Sequence, residues 1–428
     1  MRTLIVCSIS LCRKFILFER NGLLLITALC LFFSNCTSPS KKVDVKNIDV
    51  CEIDIMTNLS NNHIINLSEI AVSIDYCILE TNKKCLVSTD MSTYCTNNYI
   101  VTIGYIANSG VCYVFDRKSG NFIRQISTMG QGPNEYLEVI SSFWDSNNQQ
   151  VCFWGSNQYL FFNLDGTLSH RTNGRFSPFI GKFIAFKNNY VGYVPNYNGN
   201  STIRIAFNDK TGNYIDSIPN YRSFTRSPDI LGVSANGAWL YIYDNNLYFK
   251  ELSCDTLFQI DESVFHPRYI FNSGGRMVPY ELQDFPRRSY SSTLSGIKAL
   301  DMFENYVLIL EILENKKHLY FTVEYRNQLY PAIYNKLDDK LRIMPSVTAP
   351  TRQRGEIISF FGFENDLDGG LPFWPQQMIS ETEMMCVYAA EELLDLDASK
   401  IIDENLKNVL SRLAYDSNPV VAIVTLKE

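Results

Sequence analysis

The chain has 428 residues, 46% of them apolar, 13% aromatic and 19% charged, with a net charge of −7. That apolar share is enough to fill a sizeable core and excludes a disordered or low-complexity chain. The acidic balance, without a basic patch, argues against a nucleic-acid partner. The 25 Tyr and 27 Phe, against 22 Gly and 15 Pro, favour strands over helices.

At the N-terminus, Arg2, Arg13, Lys14 and Arg20 precede an apolar run from Leu23 to Phe33, followed by Ser34-Asn35-Cys36. A charged n-region, a short h-region and a small-residue exit describe a secretory signal over residues 1–35. The run is shorter than the ~20 residues of a membrane span. Cys36 stands where a bacterial lipoprotein signal places the cysteine that receives diacylglycerol, and Thr37 to Lys42 reads as a polar tether. A plain secretory signal and an uncleaved anchor are the alternatives, because Asn35 is larger than the residue usual before a lipidated cysteine. The length of the n-region also leaves the start codon open. The expected address is therefore the outer membrane, through a lipid on Cys36 alone, on either the periplasmic or the surface face. Loss of residues 1–35 takes the net charge from −7 to −10. Residues 36–65 are expected to be tether and lead-in, and residues 66–428 a single domain.

Eight cysteines follow Cys36: Cys51, Cys77, Cys85, Cys95, Cys112, Cys152, Cys254 and Cys386. An exported chain could pair them. Several sit inside apolar strand runs, however, as in Val111-Cys112-Tyr113-Val114-Phe115, where a free cysteine acts as a small hydrophobe.

Three segments repeat: Phe115 to Ile123, Phe162 to Leu168 and Phe207 to Ile215. Their glycines fall at 120, 166 and 212, two steps of 46 residues. Each is an apolar strand, an Asp/Asn turn with Gly where φ > 0 is needed, and a second strand. A hairpin recurring at that interval matches one propeller blade of four strands. The other blade halves are Asn98 to Ile103, Gln150 to Trp154 and Asn189 to Tyr193. Two later strand pairs have lost the glycine turn: Trp239 to Tyr243 with Thr256 to Ile260, and Tyr306 to Leu310 with Leu319 to Val323. Residues 265–300 and 345–385, rich in Pro, Gly, Arg and Ser, read as long connections over one face. Ile401, Ile402, Leu406, Val409, Leu410 and Leu413 keep helical spacing, so one amphipathic helix is expected over Ser399 to Leu413. A final strand at Pro419 to Val424 would close the ring by pairing with Ile70 to Leu79. The fold class is thus all-β, a propeller of four-stranded antiparallel blades with one C-terminal helix; length alone allows six or seven blades.

Four motifs in order carry a family resemblance. Leu79-Glu80-Thr81-Asn82, Val114-Phe115-Asp116 with Gly130-Gln131-Gly132-Pro133-Asn134-Glu135-Tyr136, Asp366 to Pro375, and Asn418-Pro419-Val420 resemble the six-bladed β-propeller lipoproteins abundant in gut Bacteroidota. The resemblance runs over roughly residues 66 to 427. It implies six blades related to NHL-type propellers on a lipid-anchored exported protein, and it carries no catalytic residues to transfer.

No GxSxG, HExxH, P-loop or complete GxGxxG occurs, and the four histidines are scattered. The candidate ligand site is the loop from Gln131 to Tyr136: Gln131, Asn134, Glu135 and Tyr136 combine amide, carboxylate and phenol groups that suit a sugar or a peptide. A structural inter-blade turn, with Tyr136 packed on its neighbour, is the bland alternative. Asp366 and Asp368 with Gly369 resemble the start of a calcium loop, although Pro375 stands where the bidentate Glu is needed. Calcium is thus possible, and no other cofactor is expected. Trp374, which the glycine turn feeds onto a rim or into a core, is a further candidate ligand-binding residue, with Arg352 and Arg354. Arg276, Arg287, Arg288, Arg352 and Arg354, if they share one face, would form a basic island for acidic glycans or a carboxylate.

The leading expectation is a non-enzymatic binding or scaffold propeller that takes an oligosaccharide, peptide or envelope protein at its channel mouth. The alternatives are a metal-dependent propeller enzyme of lyase, lactonase or hydrolase type, and an accessory subunit of an outer-membrane uptake system.

Overall fold

Among the described residues, twenty-six strands form the chain's main elements. The computed structural model describes residues 50–88, 91–106, 109–178, 180, 182–225, 237–284, 303–348 and 361–428. The signal, Cys36 and the polar tether lie outside these residues, as do Arg287, Arg288, Arg352 and Arg354.

In chain order, β1 (Cys51–Asp54) leads into helix α1 (Ile55–Leu59) and β2 (Ala71–Ile78). Blade I is β3 (Ser92–Cys95), β4 (Tyr99–Ile106), β5 (Ser109–Asp116) and β6 (Phe122–Gln125). Blade II is β7 (Ser141–Asp145), β8 (Gln150–Gly155), β9 (Gln158–Asn163) and β10 (Leu168–Arg171). Blade III is β11 (Lys182–Phe186), β12 (Asn189–Tyr193), β13 (Ile203–Asn208) and β14 (Tyr214–Pro219). Blade IV is β15 (Ala238–Tyr243), β16 (Asn246–Glu251), β17 (Thr256–Asp261) and β18 (Val264–Asn272), with β1 added in parallel outside β18. Blade V is β19 (Leu308–Glu314), β20 (His318–Tyr325), β21 (Gln328–Asn335) and β22 (Lys340–Ile343), and β23 (Val347–Thr348) also pairs with β21. Blade VI is β24 (Gln377–Met378), β25 (Glu383–Tyr388) and β26 (Val420–Leu426), completed by β2.

The ring is closed by residues far apart in sequence. β2 pairs antiparallel with β26 from Ala71↔Leu426 to Ile78↔Val420, the closure expected from the sequence. At the inner edge, the Gln377 side chain donates to the Cys95 carbonyl at 2.8 Å and accepts from the Cys95 amide at 2.7 Å, joining β24 to β3.

Local turn chemistry sets the blades. Gly120, Gly166 and Gly212 have φ of 73°, 91° and 93°, the left-handed region that glycine enters without strain. The aspartate before each glycine accepts backbone N–H bonds: Asp116 from Ser119 at 2.8 Å, Asp165 from Thr167 at 2.8 Å and Asp209 from Thr211 at 2.9 Å. At Gly120 the glycine has a second reason, since a Cβ would lie 1.9 Å from the Ile78 carbonyl oxygen. In blade IV, Glu262 and Ser263 adopt the same left-handed conformation without glycine.

Neighbouring blades pack face to face, so the middle strands are buried on both sides. β9 reads Tyr159-Leu160-Phe161-Phe162 without a polar break, because its odd and even residues enter different inter-blade cores. Cys77, Cys85, Cys95, Cys112, Cys152 and Cys386 are buried and free, and Cys51 and Cys254 are free and half-buried.

Three expectations change. Residues 265–272 form the outer strand of blade IV rather than a connection, since Phe265 and Tyr269 have apolar surface to cover on the adjacent blades. The C-terminal helix is shorter: α3 spans Glu404–Ser411 because Asp403 caps it, accepting from the Asn405 and Leu406 amides. A second short helix, α2 (Ala390–Leu394), precedes it. The lead-in is also not all tether, because β1 belongs to blade IV and His63 donates its backbone N–H to Ile343 of blade V at 3.0 Å.

Candidate functional site

Strand direction divides the propeller into two faces. In every blade the connection between second and third strands, and the connection to the next blade, leave from one face, called the top here. The described stretches 220–225, 273–284, 303–307, 344–348, 361–376 and 389–419 join strands across that face.

The channel wall is made by the first strand of each blade. β11 meets β15, β15 meets β19 and β19 meets β24 around the axis. In four consecutive blades these strands carry half-buried aromatic rings: Tyr94 in blade I, Phe143 and Trp144 in blade II, Phe183 in blade III, Trp239 and Tyr241 in blade IV. Tyr94 stacks on Trp144 at 5.7 Å between centroids, and Phe143 meets Phe183 at 4.9 Å, so the rings are fixed by inter-blade packing. Burial pushes the Tyr94 phenol up and the Tyr241 phenol well up; Tyr241 donates to the Glu314 carboxylate at 2.9 Å, which raises it further.

Below Tyr241 the wall is braced by charge. Glu314 has a fully buried side chain and holds Arg268 at 2.8 Å and Lys336 at 2.9 Å. Arg268 also lies 4.6 Å from the Tyr248 ring centroid.

At the top of the junction between blades III and IV lies a second buried polar network. Glu251, at the end of β16, is wholly buried and receives Arg204 and Arg222, each through Nη2. Burial pushes its carboxyl up, but the two guanidinium groups outweigh this and hold it below the usual range. Arg204 lies over the Phe265 ring at 4.6 Å, and Arg222 over Tyr280 at 3.9 Å. Gln283 bridges Tyr193 and Glu251, and Tyr193 donates to Asp284 at 2.9 Å. The Asn196 amide donates to the same carboxylate at 2.8 Å. Lys250, completely buried, donates to the carbonyls of Glu251 at 2.6 Å and Cys254 at 2.5 Å, and burial pulls it down to about 8.

Burial raises the Asp284 carboxyl to about 6. A folded-state pKa above the unfolded value means that the folded state prefers the proton. This contribution is complete below about pH 4 and is lost as pH rises through 6. Wild type should therefore gain about 1–3 kcal/mol relative to Asp284→Asn on going from pH 7.5 to pH 4.5. Paired thermal melts across that range measure it, and parallel curves would refute it.

The residues singled out in the sequence are dispersed. Gln131, Asn134 and Glu135 are exposed on the top connection between blades I and II. Glu135 accepts the Gly132 amide at 2.7 Å, and a Cβ on Gly130 would lie 2.0 Å from its oxygen, so these glycines make room for a carboxylate. Asn134 accepts the Leu168 amide at 3.2 Å. Tyr136 is a core residue: it is 2% exposed, packs on Phe153 at 5.4 Å and donates to the Gly110 carbonyl, which leaves no ring face for a ligand. Trp374 is likewise buried, against Phe361 at 5.8 Å and Tyr320 at 6.2 Å.

Asp366 caps the turn at Ser68, accepting its amide at 2.9 Å. Asp368 accepts Tyr76 at 2.7 Å, Asn365 at 2.7 Å and the Gly370 amide at 2.8 Å. Among the described residues no group of three or more His, Cys, Asp or Glu side chains is placed to hold a metal ion. Arg276 donates to the Gly274 carbonyl at 3.3 Å. The aromatic wall and the Glu251 network were missed; strings such as Ser141-Ser142-Phe143-Trp144 and Trp239-Leu240-Tyr241 signal the wall once each is read as the first strand of a blade.

The chain is therefore a six-bladed β-propeller with half-buried aromatic rings on four of its inner strands, each packed against an inter-blade core, and a buried charge network at one top junction. It belongs to the DUF4934 family, a domain of unknown function, which matches residues 50–425. No curated protein matches it. Among solved structures, a Bacteroides fragilis protein whose name suggests export is 18% identical, with a TM-score of 0.63 over 89% of this chain and 100% of that one. A DUF4221 family member from Bacteroides vulgatus is 14% identical, with a TM-score of 0.47 over 83% of this chain and 97% of that one. The first of these likenesses shows a shared fold.

Proposed function

We propose that this protein is an exported binding propeller, tethered to the cell envelope through Cys36, that takes a glycan or peptide in its central channel without turning it over. The charged and apolar pattern of residues 1–36 supports export and tethering, and the suggested export of the Bacteroides fragilis protein supports export. The observation that carries the binding reading is the set of half-buried rings on the inner strands of blades I to IV. Rigid, pre-placed aromatic surface gives contact area at little entropic cost, and Glu314, Arg268 and Lys336 below Tyr241 are engaged with one another.

Trp144 and Trp239 make the channel self-reporting. A soluble protein starting at Ser38, with its cysteines kept, should show a saturable change in tryptophan fluorescence and a raised Tm with one class of oligosaccharide or peptide. Trp239→Phe should weaken that binding at least tenfold while Tm in the absence of ligand falls little. Product formation from any ligand would overturn the reading in favour of an enzyme. Silence across the panel would overturn it in favour of an accessory subunit recognised only with its protein partner.

A further inference from the structure

Glu311 lies in β19, the innermost strand of blade V, which touches the inner strands of blades IV and VI. It is exposed, while Leu310 and Ile312 on either side are buried. Its φ is +53°, and the pairing of β19 with β20 shifts between Leu310 and Leu313, so it is the extra residue of a β-bulge. Glycine or asparagine fits such a backbone position with less strain than glutamate. At such a position, where the side chain covers no apolar surface, a functional reading rests on what that side chain presents. Here that is a carboxylate at the channel edge of a sheet, in a ring whose other inner strands carry Tyr94, Phe143, Trp144, Phe183, Trp239 and Tyr241.

We infer that the channel binds a cationic group, an alkylammonium or guanidinium, held by Glu311 among these aromatic rings. This rests on the channel being the binding site. A cation is attracted by the carboxylate, by the negative faces and π-density of the rings, and by the acidic net charge of the molecule; a neutral sugar gains chiefly from the rings, and an anion is repelled by Glu311. Arg268 and Lys336 are held on Glu314 and do not supply a counter-charge to Glu311. Lys336 is also under the field of Glu381. A basic peptide and an amino sugar both offer the required group, and the probes separate them.

The test titrates the soluble protein, followed by tryptophan fluorescence, with trilysine, with a glucosamine trimer, and with the neutral N-acetylglucosamine trimer and trialanine. Wild type should bind one of the two cationic probes at least tenfold more tightly than its neutral counterpart, with affinity falling as salt rises. Glu311→Gln should remove that preference. Glu311→Gly should remove it while raising Tm, since the strain goes with the carboxylate. If the neutral trimers bind as well as the cationic ones, or if Glu311→Gln leaves cation binding unchanged, the inference is overturned and the channel remains the binding site. If no probe perturbs either tryptophan while another ligand raises Tm from elsewhere, both fall.

Discussion

Asn418→Ala is expected to destabilise the protein by about 3–5 kcal/mol. Asn418 is 2% exposed and stands just before β26. Its Nδ2 donates to the carbonyls of Glu80 and Cys85, each at 2.7 Å, and its Oδ1 accepts the Val87 amide at 2.8 Å. One side chain thus pairs three backbone groups of the connection between β2 and β3, where the ring closes. Alanine leaves them unpaired, at roughly 1–3 kcal/mol for each that water cannot reach. The Asn418 backbone amide also donates to Thr81 Oγ1 at 2.7 Å, so Thr81→Ala should cost a smaller amount, about 1 kcal/mol. Denaturant midpoints for both variants check this, and a loss below 1 kcal/mol for Asn418→Ala would refute the clasp. Because the damage is local to the closure, amide exchange should accelerate first in β2 and β26.

Arg204→Met is expected to cost about 3–5 kcal/mol at neutral pH, because it removes one of two cations from a wholly buried carboxylate. The methionine keeps much of the contact with Phe249, Phe258 and Phe265, which the guanidinium approaches at 5.3, 5.6 and 4.6 Å, so the loss reports charge more than volume. Arg222 remains, but its side chain is 35% exposed against 15% for Arg204, so solvent screens it more. With one partner gone, burial should carry the Glu251 carboxyl upward. A raised folded-state value favours the protonated protein, so the cost should shrink as pH falls towards 5. The double variant Arg204→Met with Glu251→Gln should recover most of the loss at pH 7.5, as replacement of a whole buried pair is far milder than removal of one member. Thermal melts of the three variants at pH 5 and 7.5 decide it. An equal loss at both pH values would mean that packing, not the orphaned carboxylate, is responsible.

Both effects depend on contacts that no local pattern announces. Asn418-Pro419-Val420 and Leu79 to Asn82 were legible as motifs, yet their meeting is a property of the closed ring: Asn418 reaches across 331 to 338 positions to its partners. Gln377 and Cys95 are the same case. Tyr136 misled for a different reason. Its loop, with two glycines and a proline, has the composition of an exposed binding loop, and Gln131, Asn134 and Glu135 are indeed exposed. Only the two flanking blades supply what draws the phenol inward, the Gly110 carbonyl from blade I and the Phe153 face from blade II.

What the chain determines by itself is the repeat and its punctuation. The Asp-to-Gly hairpin turns at 46-residue intervals act within a few residues, through φ > 0 at Gly120, Gly166 and Gly212 and amides capped by the preceding aspartate. They survive in any context, which is why propeller architecture and ring closure by β2 could be read early. Side-chain destiny is different. In a blade packed on both faces, alternation of polar and apolar residues is lost, so Tyr94 half-buried on an inner strand, Tyr136 deep in the same inter-blade core and Tyr193 in a charge network look alike in sequence. Their separation comes from radial position and from the neighbouring blade, and those exist only once the ring has closed.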